Sequence, residues 1–186
     1  ATSAGVTTSG ITIGGANPPG RLNTVEVYNG SNWTEVSEIN TARSRAGSAG
    51  VSSTVALLYG GDVSGNPGVA NTESWDGSSW TEVNDLSTAR WGLTGGGGAS
   101  PYTTALATGG FTTTALANTE EWSFPSGPHL NEGDLFLSGS TTLKGFGKAA
   151  GIPSATWASG GDLNTGRNGS GGAGIQTASL VFGGTI

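Results

Sequence analysis

One repeated phrase constrains this chain more than any other feature. Three stretches that start at Trp33, Trp80 and Trp157 each reach an arginine ten residues later, at Arg43, Arg90 and Arg167. The first two read Trp-Thr-Glu-Val-Ser-Glu-Ile-Asn-Thr-Ala-Arg and Trp-Thr-Glu-Val-Asn-Asp-Leu-Ser-Thr-Ala-Arg. Trp33 and Trp80 lie 47 residues apart and Trp80 and Trp157 lie 77 apart, so one unit carries 30 extra residues. A period near 47 means that one supersecondary unit is used repeatedly, each copy burying its apolar face on the next. Residues that recur at that period are read first as structural.

Each unit has the same internal order. Four copies of one strand end in a glycine pair: residues 8–15, 54–61, 103–110 and 177–184, the second closing on Gly60 and Gly61. A short β-forming run closed by Gly-Gly predicts a strand entering a turn that needs positive φ. Ahead of three copies lies a Gly/Ala-rich run (46–51, 95–99 and 171–175), small enough for a strand pressed against other backbone at a crowded centre. After the glycine pair the sequence predicts a variable loop and then a third strand carrying Glu26 and Tyr28, Glu73 and Trp75, or Glu120 and Trp122. Asn29-Gly30 and Asp76-Gly77 then signal a tight hairpin, and the fourth strand opens at Trp33 or Trp80. Four short antiparallel strands per period, without a helix, are the sequence signature of a β-propeller blade.

Composition excludes several classes. Glycine makes up 35 of 186 residues and only 11% are charged, but six Trp, most of them in register, argue against disorder. A net charge of −6, with seven Lys and Arg scattered along the chain, leaves no footprint for nucleic acid. No apolar run approaches the roughly 18 residues of a membrane helix, so membrane insertion by a helix is not expected. With no Cys there is neither a disulfide framework nor a thiol nucleophile.

The ordered set of Gly60-Gly61, the third-strand aromatics Tyr28, Trp75 and Trp122, the tryptophans Trp33, Trp80 and Trp157, and Arg43, Arg90 and Arg167 resembles the Kelch family. The resemblance covers nearly the whole chain outside one insertion. It implies an all-β, Kelch-type propeller segment of about three and a half blades: 1–39, 43–86, 90–163 and a half blade at 167–186. Since propellers close with four to eight blades, either further sequence or another chain is expected to complete the ring, and a longer polypeptide is the favoured reading. The wording around the repeats, Asn-Gly-Ser-Asn-Trp-Thr-Glu-Val and Leu-Ser-Thr-Ala-Arg, is similar to Kelch-like arrays of phage structural proteins.

The 30 extra residues fall between the third and fourth strands of the third blade, over 125–155. Residues 132–138 and 141–146 alternate around Gly139-Ser140 and predict a hairpin. The Glu-Gly-Asp-Leu-Phe wording resembles an element of phage tail-fibre proteins.

Candidate functional residues are those that escape the period. Trp91 stands where the sister units have Ser44 and Asn168, and Tyr102 where they have Ser53 and Gln176. His129, Phe136 and Phe146 lie on the insertion. Together they suggest a contact surface. Trp33, Trp80 and Trp157 are read as packing anchors between blades, and Arg43, Arg90 and Arg167 as partners of backbone carbonyls or of the periodic Glu26, Glu73 and Glu120. One acid per blade at a fixed locus does not make the paired carboxylates of a glycosidase. Ser74-Trp-Asp-Gly-Ser-Ser-Trp80 falls one residue short of a sialidase Asp box. A single His without Cys suggests neither metal nor cofactor.

The expected function is a non-enzymatic structural or adhesive virion protein, a tail fibre or appendage. Its partners are other virion proteins, further copies of itself or a host-surface glycan, and its place is in the virion or outside the cell. The runner-up is a secreted or cell-surface bacterial carbohydrate-binding propeller, which requires the repeated tryptophans to be exposed.

Overall fold

The run Val55-Ala-Leu-Leu-Tyr59 is apolar at every position, which suits a strand covered on both faces. In the computed structural model it lies inside one of three four-stranded antiparallel sheets. The structure describes residues 1–64, 68–96, 104–123, 135–138, 142–145, 156–159, 162–169, 171–175 and 178–185. Among these there is no helix.

The first sheet holds β1 (Thr2–Val6), β2 (Ser9–Asn17), β3 (Gly20–Tyr28) and β4 (Trp33–Val36) in sequence order. The second holds β5 (Gly47–Ser52), β6 (Val55–Tyr59), β7 (Thr72–Trp75) and β8 (Trp80–Val83), again in order. The third is built from β9 (Thr94–Gly96), β10 (Thr104–Thr108), β11 (Thr119–Ser123) and, after the insertion, β14 (Thr156–Ser159). Between β11 and β14, β12 (Leu135–Ser138) and β13 (Thr142–Gly145) pair as a separate hairpin with Phe136 opposite Lys144. A last pair, β15 (Gly171–Ile175) and β16 (Ala178–Phe182), follows the third sheet. The chain is therefore all-β and blade-like.

The sheets stack face to face, and the first strands β1, β5, β9 and β15 are neighbours in turn. Small residues are required there. A Cβ on Gly95 would stand 2.1 Å from the Ser48 carbonyl oxygen. Between the first two sheets, Ile11, Ile13, Val25 and Ile39 meet Ala56, Leu58, Trp75 and Trp80. Between the second and third, Leu57, Tyr59 and Leu86 meet Ala105, Ala107 and Trp122. β6 thus sends Leu57 and Tyr59 forward and Ala56 and Leu58 back, because successive strand residues point to opposite faces.

The arginines bind one sheet to the next. Arg43 is held by its backbone to the first sheet: its N–H donates to Leu22 O at 3.1 Å, and its carbonyl accepts from Gly15 N–H at 2.9 Å. Its guanidinium enters the second sheet and meets Glu73 Oε1 at 2.7 Å, with the Asn71 carbonyl at 3.1 Å. The other carboxylate oxygen of Glu73 accepts Asn40 N–H. Arg90 repeats the arrangement one unit on. Gly61 N–H donates to its carbonyl, and its guanidinium meets Glu120 Oε1 at 2.7 Å together with the Gly109 and Asn118 carbonyls. Burial pulls both guanidinium pKa values down, with Glu73 and Glu120 opposing it. Arg167 follows the same path, its carbonyl bonded to Gly110 N–H and its Nη1 donating to Gly183 O at 2.7 Å.

The glycine pairs have positive φ in all four copies, with Gly60 at 62° and Gly61 at 102°. A Cβ on Gly60 would lie 2.7 Å from Arg90 O. The pair both turns the chain and lets the next arginine approach.

Two expectations need correction. Trp33, read as a packing anchor, is 53% exposed, whereas Trp80 is 8% exposed and donates its indole N–H to Ser37 O. The difference is positional: Trp80 faces the first sheet, and among the described residues no sheet stands behind Trp33. Second, the first unit has no variable loop after its glycine pair. β2 runs through Gly14 and Gly15 with a register shift and returns after Pro18-Pro19, so that Ala16 pairs with Arg21.

Replacing Glu73 by Gln leaves the Arg43 guanidinium buried without its counter-charge and should cost about 3–5 kcal/mol of unfolding free energy. Glu26→Gln, at the exposed equivalent position, should stay within about 0.5 kcal/mol. Urea denaturation of the two variants side by side checks this contrast. Gly60→Ala should lose more than about 1 kcal/mol in the same assay, since it adds a Cβ at positive φ against a carbonyl.

Candidate functional site

Ser44, Trp91 and Asn168 each follow a junction arginine, and each forms an antiparallel bridge with the residue after a glycine pair. The partners are Asp62, Phe111 and Thr185. The next residue in every case is left-handed: Arg45 at φ 53°, Gly92 at 64° and Gly169 at 67°. These residues are chained by backbone bonds, Gly92 N–H to Arg45 O and Gly169 N–H to Gly92 O, both at 2.8 Å. One backbone frame is thus built three times and carries three different sets of side chains.

The second unit departs from the frame where departure is costly. Arg45 occupies a left-handed position that its sisters fill with glycine, at a cost of about 1 kcal/mol. Its side chain accounts for the choice. Nε and Nη2 donate to Asp62 Oδ1 and Oδ2 at 3.1 and 2.8 Å, and the guanidinium lies 3.8 Å from the centroid of Trp91. A cation over an indole face is attracted by the ring quadrupole.

Asp62 collects further donors. Ser44 Oγ–H donates to Oδ1 at 2.7 Å, and Arg21 donates to Oδ2 through Nε at 2.9 Å and also through Nη2. Burial alone would raise the Asp62 pKa, but the hydrogen bonds from Arg45, Ser44 and Arg21 outweigh it and hold the carboxyl at about 2. Two guanidinium groups share this one carboxylate, so the cluster carries a net positive charge. The side chain of Asp62 is 2% exposed and that of Arg45 is 49% exposed, so the cationic edge faces solvent. Trp91 extends the surface with Phe111, their ring centroids 4.9 Å apart and tilted by 46°.

Of the residues singled out in the sequence, Trp91 stands in this cluster. Phe136 lies on β12, away in sequence and on its own hairpin. Tyr102, His129 and Phe146 lie outside the described residues. Trp157 on β14 is in register with Trp122. Arg21, Arg45, Asp62 and Phe111 were not expected from the sequence. The available signal was the dipeptide series Ser44-Arg45, Trp91-Gly92 and Asn168-Gly169, in which one unit gives up a glycine that the others keep.

The near Asp box is a turn. Asp76 Oδ1 accepts the backbone N–H groups of Ser78 and Ser79, both at 2.8 Å, and Asn29 Oδ1 does the same for Ser31 and Asn32 in the first sheet.

No protein-family profile matches the chain, and no curated protein matches it in sequence. Among solved structures it is similar to YjhT, with a TM-score of 0.57 at 14% identity over 88% of this chain and 46% of YjhT. The chain thus spans about half the length of that protein, and at this identity the likeness concerns the fold.

Because the folded state holds Asp62 below its ordinary value, its contribution to stability is full above about pH 4 and is lost as pH falls towards 2. In Arg45→Gly the carboxyl should titrate higher, towards the usual Asp range, and the acid transition should begin at higher pH. Carboxyl-detected NMR titration of the two proteins measures this directly.

Proposed function

We propose that this chain is a non-enzymatic, β-propeller-type scaffold of Kelch character that works by surface contact, in the manner of an adhesive virion component. The observation that carries the reading is the thrice-built frame bearing Ser44-Arg45-Asp62, Trp91-Gly92-Phe111 and Asn168-Gly169-Thr185. A stiff, repeated backbone that presents different side chains at one locus has the form of a recognition surface. Three sheets of four antiparallel strands, with their first strands side by side, support the propeller reading. The assignment to a virion rests on the resemblance of the repeat wording alone.

The buried carboxylates support contact over catalysis. Glu73 and Glu120 each accept from an arginine and from a backbone N–H, and Asp62 accepts from three side chains. Carboxylates whose oxygens are already taken by donors of the chain are poorly placed to exchange a proton with a substrate. A carbohydrate-binding propeller with one aromatic pocket per blade is disfavoured by Trp80, whose ring is packed between sheets and whose N–H is bonded.

The test is adhesion. Labelled chain should bind bacterial cell envelopes, and an Arg45→Glu, Trp91→Ala double variant with an unchanged far-UV spectrum should bind about tenfold less, as expected when an Arg and a Trp anchor are lost together. Equal binding by the double variant, or turnover of envelope glycans by the wild type, would overturn the reading.

A further inference from the structure

The cluster around Asp62 holds one guanidinium more than its carboxylate needs. Arg21 by itself balances the charge of Asp62, donating to Oδ2 through Nε at 2.9 Å and through Nη2. Ser44 Oγ–H already occupies Oδ1 at 2.7 Å. The second guanidinium arrives on Arg45, a residue at φ 53° where the equivalent positions hold Gly92 and Gly169. Side chains rarely adopt that conformation. Neutralising Asp62 does not require it, so the surplus cation asks for another partner.

The donors left over have the shape of an anion receptor. A guanidinium carries five N–H groups in a planar fork. Arg21 and Arg45 both meet Asp62 side-on, through Nε and Nη2. Among the described residues neither Nη1 has a hydrogen-bond partner. The outer edge of each guanidinium, Nη1 with the second N–H of Nη2, therefore stays open, and such an edge matches two oxygens of a carboxylate or phosphate. Both Nη2 atoms donate to the same oxygen, Oδ2, so the two guanidinium groups are neighbours. Their side chains are 22% and 49% exposed. Arg45 is further fixed by the Trp91 ring at 3.8 Å, which leaves little ordering to be done on binding.

The surroundings decide what the anion is attached to. Among the described residues Asp62 is the only carboxylate paired with either arginine, so the cluster keeps one uncompensated positive charge. The chain as a whole carries −6. A long polyanion such as a nucleic acid is therefore repelled beyond this one spot, and a single anionic group suits it better. Trp91 and Phe111, both partly exposed, continue the surface from Arg45 with centroids 4.9 Å apart. Paired aromatic rings offer an apolar bed for the C–H face of a sugar ring. We infer that this cluster binds a pyranose bearing an oxyanion, a carboxylate or a phosphate, with the oxyanion on the outer edges of Arg21 and Arg45 and the ring against Trp91 and Phe111. The inference rests on the contact-surface reading proposed above and narrows it to acidic sugars.

The test is a ligand titration followed by NMR at the side-chain N–H signals of Arg21, Arg45 and Trp91. Four probes share one ring: galacturonate, galactose 6-phosphate, the methyl ester of galacturonate, and galactose. At least one of the two acids should shift all three signals saturably and bind about tenfold more tightly than the ester and galactose, as expected for a charge-assisted hydrogen-bonded pair. The tighter acid identifies the oxyanion. Arg45→Gly, which installs the residue that the sister positions hold at this φ, should weaken the acid about tenfold and leave the neutral sugars unchanged. An ion pair with a merely structural role does not produce that split. Arg45→Lys keeps the charge but loses the planar fork, and should also bind the acid more weakly than wild type.

Four results would overturn the inference. In the first, no acid shifts the three signals saturably, or Arg45→Gly binds the acid as wild type does. In the second, the ester and galactose bind as tightly as the acids, which makes the charge irrelevant. In the third, acetate or inorganic phosphate binds as tightly as the sugar acids, which removes the sugar ring. In the fourth, oligothymidylate binds more tightly than either acid, which makes a nucleic acid the occupant. The adhesion assay is read separately. Envelope binding without a response to the sugar acids keeps the contact surface and removes the acidic sugar, and a sugar response without envelope binding does the reverse.

Discussion

The structure depends on an arginine that belongs to two sheets at once. Its backbone is bonded to the sheet it leaves and its side chain to the sheet it enters, as Arg43 shows through Leu22, Gly15, Asn71 and Glu73. A buried guanidinium is costly unless its donors are used, and here carbonyls and a carboxylate take them; Nε of both Arg43 and Arg90 is left without a partner. The pair therefore specifies register more than it adds net stability. Because the arginine's carbonyl accepts from the second glycine of the preceding pair, the turn, the junction and the next sheet are fixed together.

That coupling explains why glycine is abundant in an ordered protein. The glycine pairs supply positive φ and also the clearance for a carbonyl to approach, and the first strands need clearance from each other. Apolar residues then fill both faces of the middle sheet, while the outer fourth strands keep Thr and Glu towards solvent, as in Trp80-Thr-Glu-Val83. Stiffness comes from repetition, which leaves the side chains around Ser44, Trp91 and Asn168 free to differ.

The strand order, the hairpin turns, the glycine pairs and the arginine–glutamate partnership were legible in the sequence because each recurs, and recurrence separates a structural demand from chance. The candidate cluster was legible only at Trp91. Arg21 reaches Asp62 because β2 and β3 of the first unit form a long hairpin, a local variation that the period conceals. Arg45 is marked in the sequence only by the glycine that its unit gives up, and its meaning came from its positive φ and its bonds to Asp62. Trp33 shows the opposite failure, since its sequence context matches that of Trp80 while its burial does not.

By itself, the sequence determined the all-β class, the unit length, the position of the insertion and the periodic residues that join the units, because these follow from local propensity and repetition. Tertiary structure alone decided which members of each periodic set are satisfied and which face outward. It placed Arg21, Arg45, Asp62, Trp91 and Phe111 from three repeat units in one cluster, and it left Glu26 and Trp33 exposed where their sisters are buried. The physical reason is that burial and ion pairing depend on what stands on the far side of a sheet, and that neighbour lies tens of residues away along the chain.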